Sequence, residues 1–148
     1  MNKLKKLNKG QTDKDLLEVA DFLNIKITKI DFINELFKDN NKLENGNYIG
    51  NLDSKTKFGT HWIAIKIYND ILIYYDSFGF RPPNIIVDYC KNNKLKCYFS
   101  LNETQDLKEE ICGLYVLLFF LLDSHNHITN KETFNQNLNE MKYWKIEP

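Results

Sequence analysis

The stretch from Ile111 to Leu122 reads Ile-Cys-Gly-Leu-Tyr-Val-Leu-Leu-Phe-Phe-Leu-Leu and holds no charged residue. A helical crossing of a bilayer takes about 20 apolar residues, so this run is too short to span one. It is too apolar all round for a surface helix, which shows one polar face. A fold that contains it must be built around it, as a central buried helix from Cys112 to about Asp123. Cys112 and Gly113 then stand in its first turn. The helix dipole at that end favours the thiolate, the nucleophilic form of cysteine. What the rest of the chain brings to Cys112 decides what that thiol can do.

With 148 residues, the chain fits one ordinary domain, spanning 1–148, with residues 1–11 as a flexible start. An apolar share of 43% supplies a sizeable core. Twenty basic residues cancel twenty acidic ones, so no global field draws the protein to nucleic acid or an anionic membrane. The local basic cluster of Lys3, Lys5, Lys6 and Lys9 reads as a solvated tail. The first residues are charged and lack the apolar region of a signal peptide. Three cysteines, Cys90, Cys97 and Cys112, form neither a disulfide framework nor a metal spacing. Both observations point to a reducing, intracellular setting. His125 and His127 have no carboxylate or cysteine at ligand spacing and fit a loop from His125 to Asn130, so no metal or cofactor is expected.

Thr12, with Asp13 and Asp15, predicts a helix N-cap and an acidic first turn. Leu16, Leu17, Val19, Ala20, Phe22 and Leu23 follow on one short amphipathic helix. Ile25 to Phe37 mixes strand character (Ile25, Ile27, Ile30) with a short helix from Asp31. Lys38 to Gly46 reads as a loop and Tyr48 to Leu52 as a short strand. Pro82 and Pro83 suit the first turn of a helix running to about Asn92. Lys94 to Leu101 is a further strand, with Cys97 in it, and Asn102 to Glu110 a polar loop. A last amphipathic helix carries Phe134, Leu138 and Met141.

The strongest strand signal is His61 to Tyr68 and Ile71 to Asp76, flanking Asn69-Asp70. Two β-rich runs around a two-residue Asn/Asp turn predict a hairpin. Centring the turn on Asn69 and Asp70 pairs Tyr68 with Ile71, Ile65 with Tyr74 and Ile63 with Asp76. Side chains alternate along a strand, so His61 shares the face of Ile63 and becomes a diagonal neighbour of Asp76. A slip of one residue would separate them. Taken singly, these residues have plain structural readings. Cys112 is a core cysteine, His61 a strand end, Asp76 a turn-former, Gln105 a loop residue and Trp62 a core ring. Taken together, a thiol at a helix start, a base and an orienting carboxylate are the parts of thiol-nucleophile catalysis. The N–H of Cys112 and the side chain of Gln105, seven residues upstream, could serve the tetrahedral intermediate.

These residues resemble the adenovirus-type cysteine proteases, a group that includes Ulp-like SUMO and NEDD8 proteases and the maturation proteases of virophages and Polinton-type elements. The resemblance rests on His61-Trp62 at a strand start, Asp76-Ser77-Phe78-Gly79 closing the next, and Gln105 followed by Cys112-Gly113. It covers about Gly59 to Asp123, and the order His, Asp, Gln, Cys is the family's. The resemblance implies Cys112 as nucleophile, His61 as general base, Asp76 as its orienting group, and Gln105 with the Cys112 N–H as oxyanion hole. It implies that Trp62 and Gly113 contact substrate, Trp62 walling a narrow channel for small residues. It implies an α+β fold, papain-like but circularly permuted, with a central helix packed against a mostly antiparallel sheet. The activity implied is that of a monomeric endopeptidase, acting in virion and host cytoplasm on capsid precursors at glycine-containing sites. A Ulp-type protease of ubiquitin-like modifiers, or a non-catalytic virion-associated relative, would carry the same outline. The adenoviral enzyme is stimulated by a disulfide-tethered peptide and by DNA. Cys97 is the position such a tether would use, or else a buried strand cysteine, and the neutral charge gives no support to DNA.

Overall fold

The computed structural model describes residues 12–38, 42–52, 61–100, 112–125 and 143–146. The expected last helix around Phe134, Leu138 and Met141, the loop from Asn102 to Glu110 and residues 1–11 lie outside these.

The first helix, α1 (Asp13–Phe22), starts at a reciprocal capping box. The Thr12 hydroxyl accepts from the Asp15 N–H at 3.1 Å, and the Asp15 carboxylate accepts from the Thr12 N–H at 3.1 Å. Two orphan donors of the first turn are thereby satisfied. Asn24 ends it with a left-handed φ of 59°, and Ile25 N–H closes back on the Ala20 carbonyl at 2.8 Å. Strand β1 (Lys29–Phe32) runs directly into the one-turn helix α2 (Ile33–Leu36). Strand β2 (Gly46–Asn51) follows, then β3 (Trp62–Tyr68) and β4 (Ile71–Tyr75). Helix α3 (Asn84–Asn92) leads to β5 (Lys96–Ser100). Helix α4 (Cys112–His125) and strand β6 (Tyr143–Lys145) complete the described elements.

All six strands form one sheet in chain order, β1-β2-β3-β4-β5-β6. The fold is α+β, but the sheet is mixed. β2/β3, β3/β4 and β5/β6 are antiparallel, whereas β1/β2 and β4/β5 are parallel. Three of the five pairings are antiparallel, in line with a mostly antiparallel sheet, and the two parallel ones make it mixed. Parallel neighbours need a crossover, and α3, between β4 and β5, is one. Strand β6 was not anticipated at all. Pro83 is the N-cap of α3, so the two prolines precede the helix instead of filling its first turn. His125 belongs to α4, not to a loop.

The hairpin has the expected register: Tyr68 faces Ile71, Ile65 faces Tyr74 and Ala64 faces Tyr75. Asn69 takes the left-handed φ, 54°, that the tight turn requires. Helices cover both faces of the sheet. On one, α1 and α4 pack Leu16, Val19, Val116, Leu117 and Phe120 over Ile49, Trp62, Ala64, Ile71 and Ile73. On the other, α2 and α3 pack Ile33, Leu36, Ile86, Tyr89 and Cys90 over Tyr48, Ile63, Ile65, Leu72, Tyr74 and Cys97. Burial on both faces explains why β3 and β4 read as nearly unbroken apolar runs. Helix α4 is buried over most of its described surface, although Leu118 is 41% exposed.

The second layer is tight where β2 passes α2. A Cβ added at Gly50 would lie 2.9 Å from Ile63 Cδ1 and 3.0 Å from Ile33 Cγ1. Gly50→Ala is therefore expected to cost about 1–3 kcal/mol through overpacking. A lower urea midpoint at an unchanged m-value would report it; an unchanged midpoint would mean that α2 yields freely.

Candidate active site

His61 and Asp76 meet as the hairpin register requires. His61 Nε2 and Asp76 Oδ1 are 2.7 Å apart, with the His61 side chain 20% exposed and that of Asp76 1% exposed. Asp76 follows the last residue of β4 and opens a turn made by Asp76-Ser77-Phe78-Gly79. Its Oδ1 also accepts the Phe78 N–H at 2.9 Å. Its carbonyl accepts the Gly79 N–H at 2.8 Å, and Gly79 has φ 77°, a conformation glycine adopts without cost. Asp76 is thus both the carboxylate of the pair and the residue that shapes the turn, as an Asx-turn residue does.

Cys112 arrives from the other side of the sheet. His61 shares the face of Ile63 and Ile65, whereas α4 lies over the face of Trp62 and Ala64. The two meet at the sheet's end, where β3 begins. The Trp62 N–H donates to Cys112 Sγ at 3.3 Å, and His61 hydrogen-bonds Cys112 as well as Asp76. Since Nε2 serves Asp76, Nδ1 is the ring nitrogen left for the thiol. The start of β3 is itself held: the His61 carbonyl accepts the Leu52 N–H at 2.9 Å, and Asn51 pairs with Trp62.

The electrostatics of the trio favour a protonated imidazole. Burial alone would lower the pKa of His61. The hydrogen bonds to Asp76 and Cys112, and the negative charge of both partners, outweigh burial and push it from 6.5 up to about 9. Tyr74 lies on the same face as Asp76. Burial, and then the charge of Asp76, raise its hydroxyl well above the ordinary range, so it stays protonated beside the carboxylate. Among the described residues, Tyr74 Oη and Asp76 Oδ2, both buried, have no hydrogen-bond partner.

Of the residues named from sequence, His61, Asp76 and Cys112 come together. Gly113 is buried in the same turn of α4 as Cys112. Trp62 is only 4% exposed and belongs to the core cluster that holds Cys112. Gln105 lies outside the described residues. Two contributions were missed: the Trp62 backbone N–H on the sulfur, and Phe78, whose ring stacks on His61. The Asp-Ser-Phe-Gly turn chemistry could have signalled the second, because an Asx-turn fixes the residue two positions on. Nothing local could have signalled the first, which joins residues 50 positions apart.

Cys90 and Cys97 are free and buried on the opposite face. The hydrogen bond to Cys97, reinforced by burial, pushes the Cys90 thiol up, and the same bond lowers Cys97. They pair with each other and not with the trio. Among the described residues no group of three metal-ligating side chains occurs, and no helix is long and apolar enough to cross a membrane. No protein-family model matches the chain, and no curated protein matches it.

Proposed function

We propose that the protein is a cysteine endopeptidase of the adenovirus type, with the permuted papain-like fold of that group, and that it processes structural precursor proteins of a virion at small-residue sites. One observation carries the reading. A thiol in the first turn of a buried helix stands close enough to an imidazole to raise its pKa, and a buried carboxylate holds that imidazole at 2.7 Å through Nε2. The chain order His61, Asp76, Cys112 supports the family.

In this reading His61 Nδ1 takes the Cys112 proton, and the Trp62 N–H stabilises the thiolate. The sulfur attacks the scissile carbonyl carbon and the carbonyl π pair moves to oxygen. The Cys112 N–H, in the first turn of α4, and the Gln105 amide receive that oxyanion. The intermediate collapses as imidazolium gives its proton to the departing amine, leaving an acyl-thioester. Water, deprotonated by His61, hydrolyses the thioester and restores the thiol. Trp62 and Gly113 border the channel for the small residue before the scissile bond. No cofactor takes part in any step.

The test has two arms. Exposure does not distinguish the three cysteines, at 5% for Cys112 and 3% each for Cys90 and Cys97. Selective alkylation of Cys112 in the folded protein at neutral pH would therefore report activation by His61, because an ordinary thiol with pKa near ~8.5 reacts slowly. Mass spectrometry of capsid precursors incubated with the protein should then show cuts after small residues. A panel of ubiquitin-like modifier fusions is the control. Cleavage of the fusions alone would move the activity to the Ulp type, and cleavage of neither would end the protease reading.

A further inference from the structure

The ring of Phe78 lies parallel to that of His61, with centroids 4.3 Å apart and planes 9° apart. Phe78 is not free to drift from this position. Its N–H is held by Asp76 Oδ1, the oxygen that also holds His61 Nε2, and Gly79 closes the turn on the Asp76 carbonyl. Phe80 makes a T-shaped contact with it, centroids 6.1 Å apart. One four-residue turn therefore presents a carboxylate to the edge of the imidazole and an aromatic face to its plane.

We propose that Phe78 is a positioning residue of the site: its ring clamps the imidazole of His61 in the plane that joins Asp76 to Cys112. An imidazole held only through Nε2 can swing about that bond and carry Nδ1 away from the sulfur. A parallel ring at van der Waals distance blocks the swing. The negative face of the ring also favours imidazolium over neutral imidazole, as aromatic faces favour cations generally. The role rests on the protease reading for its catalytic meaning, but the clamp itself does not.

Two readouts separate the clamp from the activity. The first is the titration of His61 by NMR. The groups that face His61 among the described residues are Asp76 from the end of β4 and Cys112 from α4, and neither is altered in Phe78→Leu. In that variant the titration midpoint should fall from about 9 by about half to one and a half pH units. Phe78→Tyr, which keeps the face, should restore it. The second is kinetic: a ring that acts only through His61 predicts that kcat falls about 3- to 30-fold in Phe78→Leu with KM nearly unchanged. Phe78→Met, closer in reach, replaces Phe78→Leu if the latter lowers Tm. An unchanged His61 midpoint in the folded variant overturns the proposal. A midpoint that falls as expected, in a protein that cleaves no precursor, overturns the protease reading and leaves the clamp standing.

Discussion

Cys112→Ala should abolish precursor cleavage, with kcat falling by about 10⁵- to 10⁶-fold, the scale of losing a nucleophile from a catalytic triad. Binding of the precursor should survive, because a small buried side chain is shortened and no charged group is left alone. Cys90→Ala and Cys97→Ala are the matched controls. They remove equally buried thiols from the other face of the sheet, so they should lower stability slightly and leave kcat within about twofold. Cys112→Ser should behave like the alanine variant, because a hydroxyl does not form the ion pair that His61 makes with a thiolate. If Cys112→Ala kept measurable turnover in a preparation free of other proteases, the thiol would be only a core residue.

The position of Cys112 explains why the apolar run of α4 would matter to the proposed chemistry. Val116, Leu117 and Phe120 fix the helix over Ala64, Ile71 and Ile73, and that packing sets where its first turn ends up. The sulfur then sits against the start of β3 and accepts the Trp62 N–H. An exposed loop would leave the thiol free to rotate; a packed helix bound to a central strand holds it to one place.

How far the residues foretold this arrangement follows from the range of each interaction. The hairpin was readable because its register depends on a two-residue turn and a period of two, both local. From it the approach of His61 to Asp76 followed without any tertiary information. The N-cap at Thr12 was likewise local, whereas the mixed signal from Ile25 to Phe37 puts the start of the short helix at Asp31, inside β1. The parallel pairing of β4 with β5 was not, since Lys94 to Leu101 reads the same whichever way it joins a sheet. Strand β6 is three residues long and pairs with a strand about 45 positions earlier, so no pattern announces it. The meeting of Cys112 with His61 around the end of β3 lies between these cases. The residue types suggested it, and only the packing of α4 on one face and α3 on the other shows how thiol and imidazole reach each other.

Substitutions at Asp76 should separate two roles that the geometry joins. Asp76→Asn keeps an oxygen able to accept from Phe78 N–H and His61 Nε2–H, so the imidazole stays oriented. It removes the charge that, with the hydrogen bonds, outweighs burial and holds the His61 proton up to about 9. For the wild type, kcat/KM should fall on the alkaline side near that pH, as imidazolium deprotonates and the ion pair is lost. In Asp76→Asn the influence of Cys112 still opposes burial but the charge of Asp76 is gone, and the alkaline limb should move toward acid by about one pH unit. Asp76→Ala loses orientation as well and should cost about 10³-fold in kcat at neutral pH. Stability must follow the same titration. The folded pKa of His61 lies above its unfolded value, so its contribution is complete below pH 6.5 and is lost as pH rises through about 9. That contribution is on the order of 3 kcal/mol. Urea titrations across this window should show the loss in the wild type and a much flatter profile in Asp76→Asn. An alkaline limb and a stability profile that Asp76→Asn leaves in place would mean that another group holds the His61 proton.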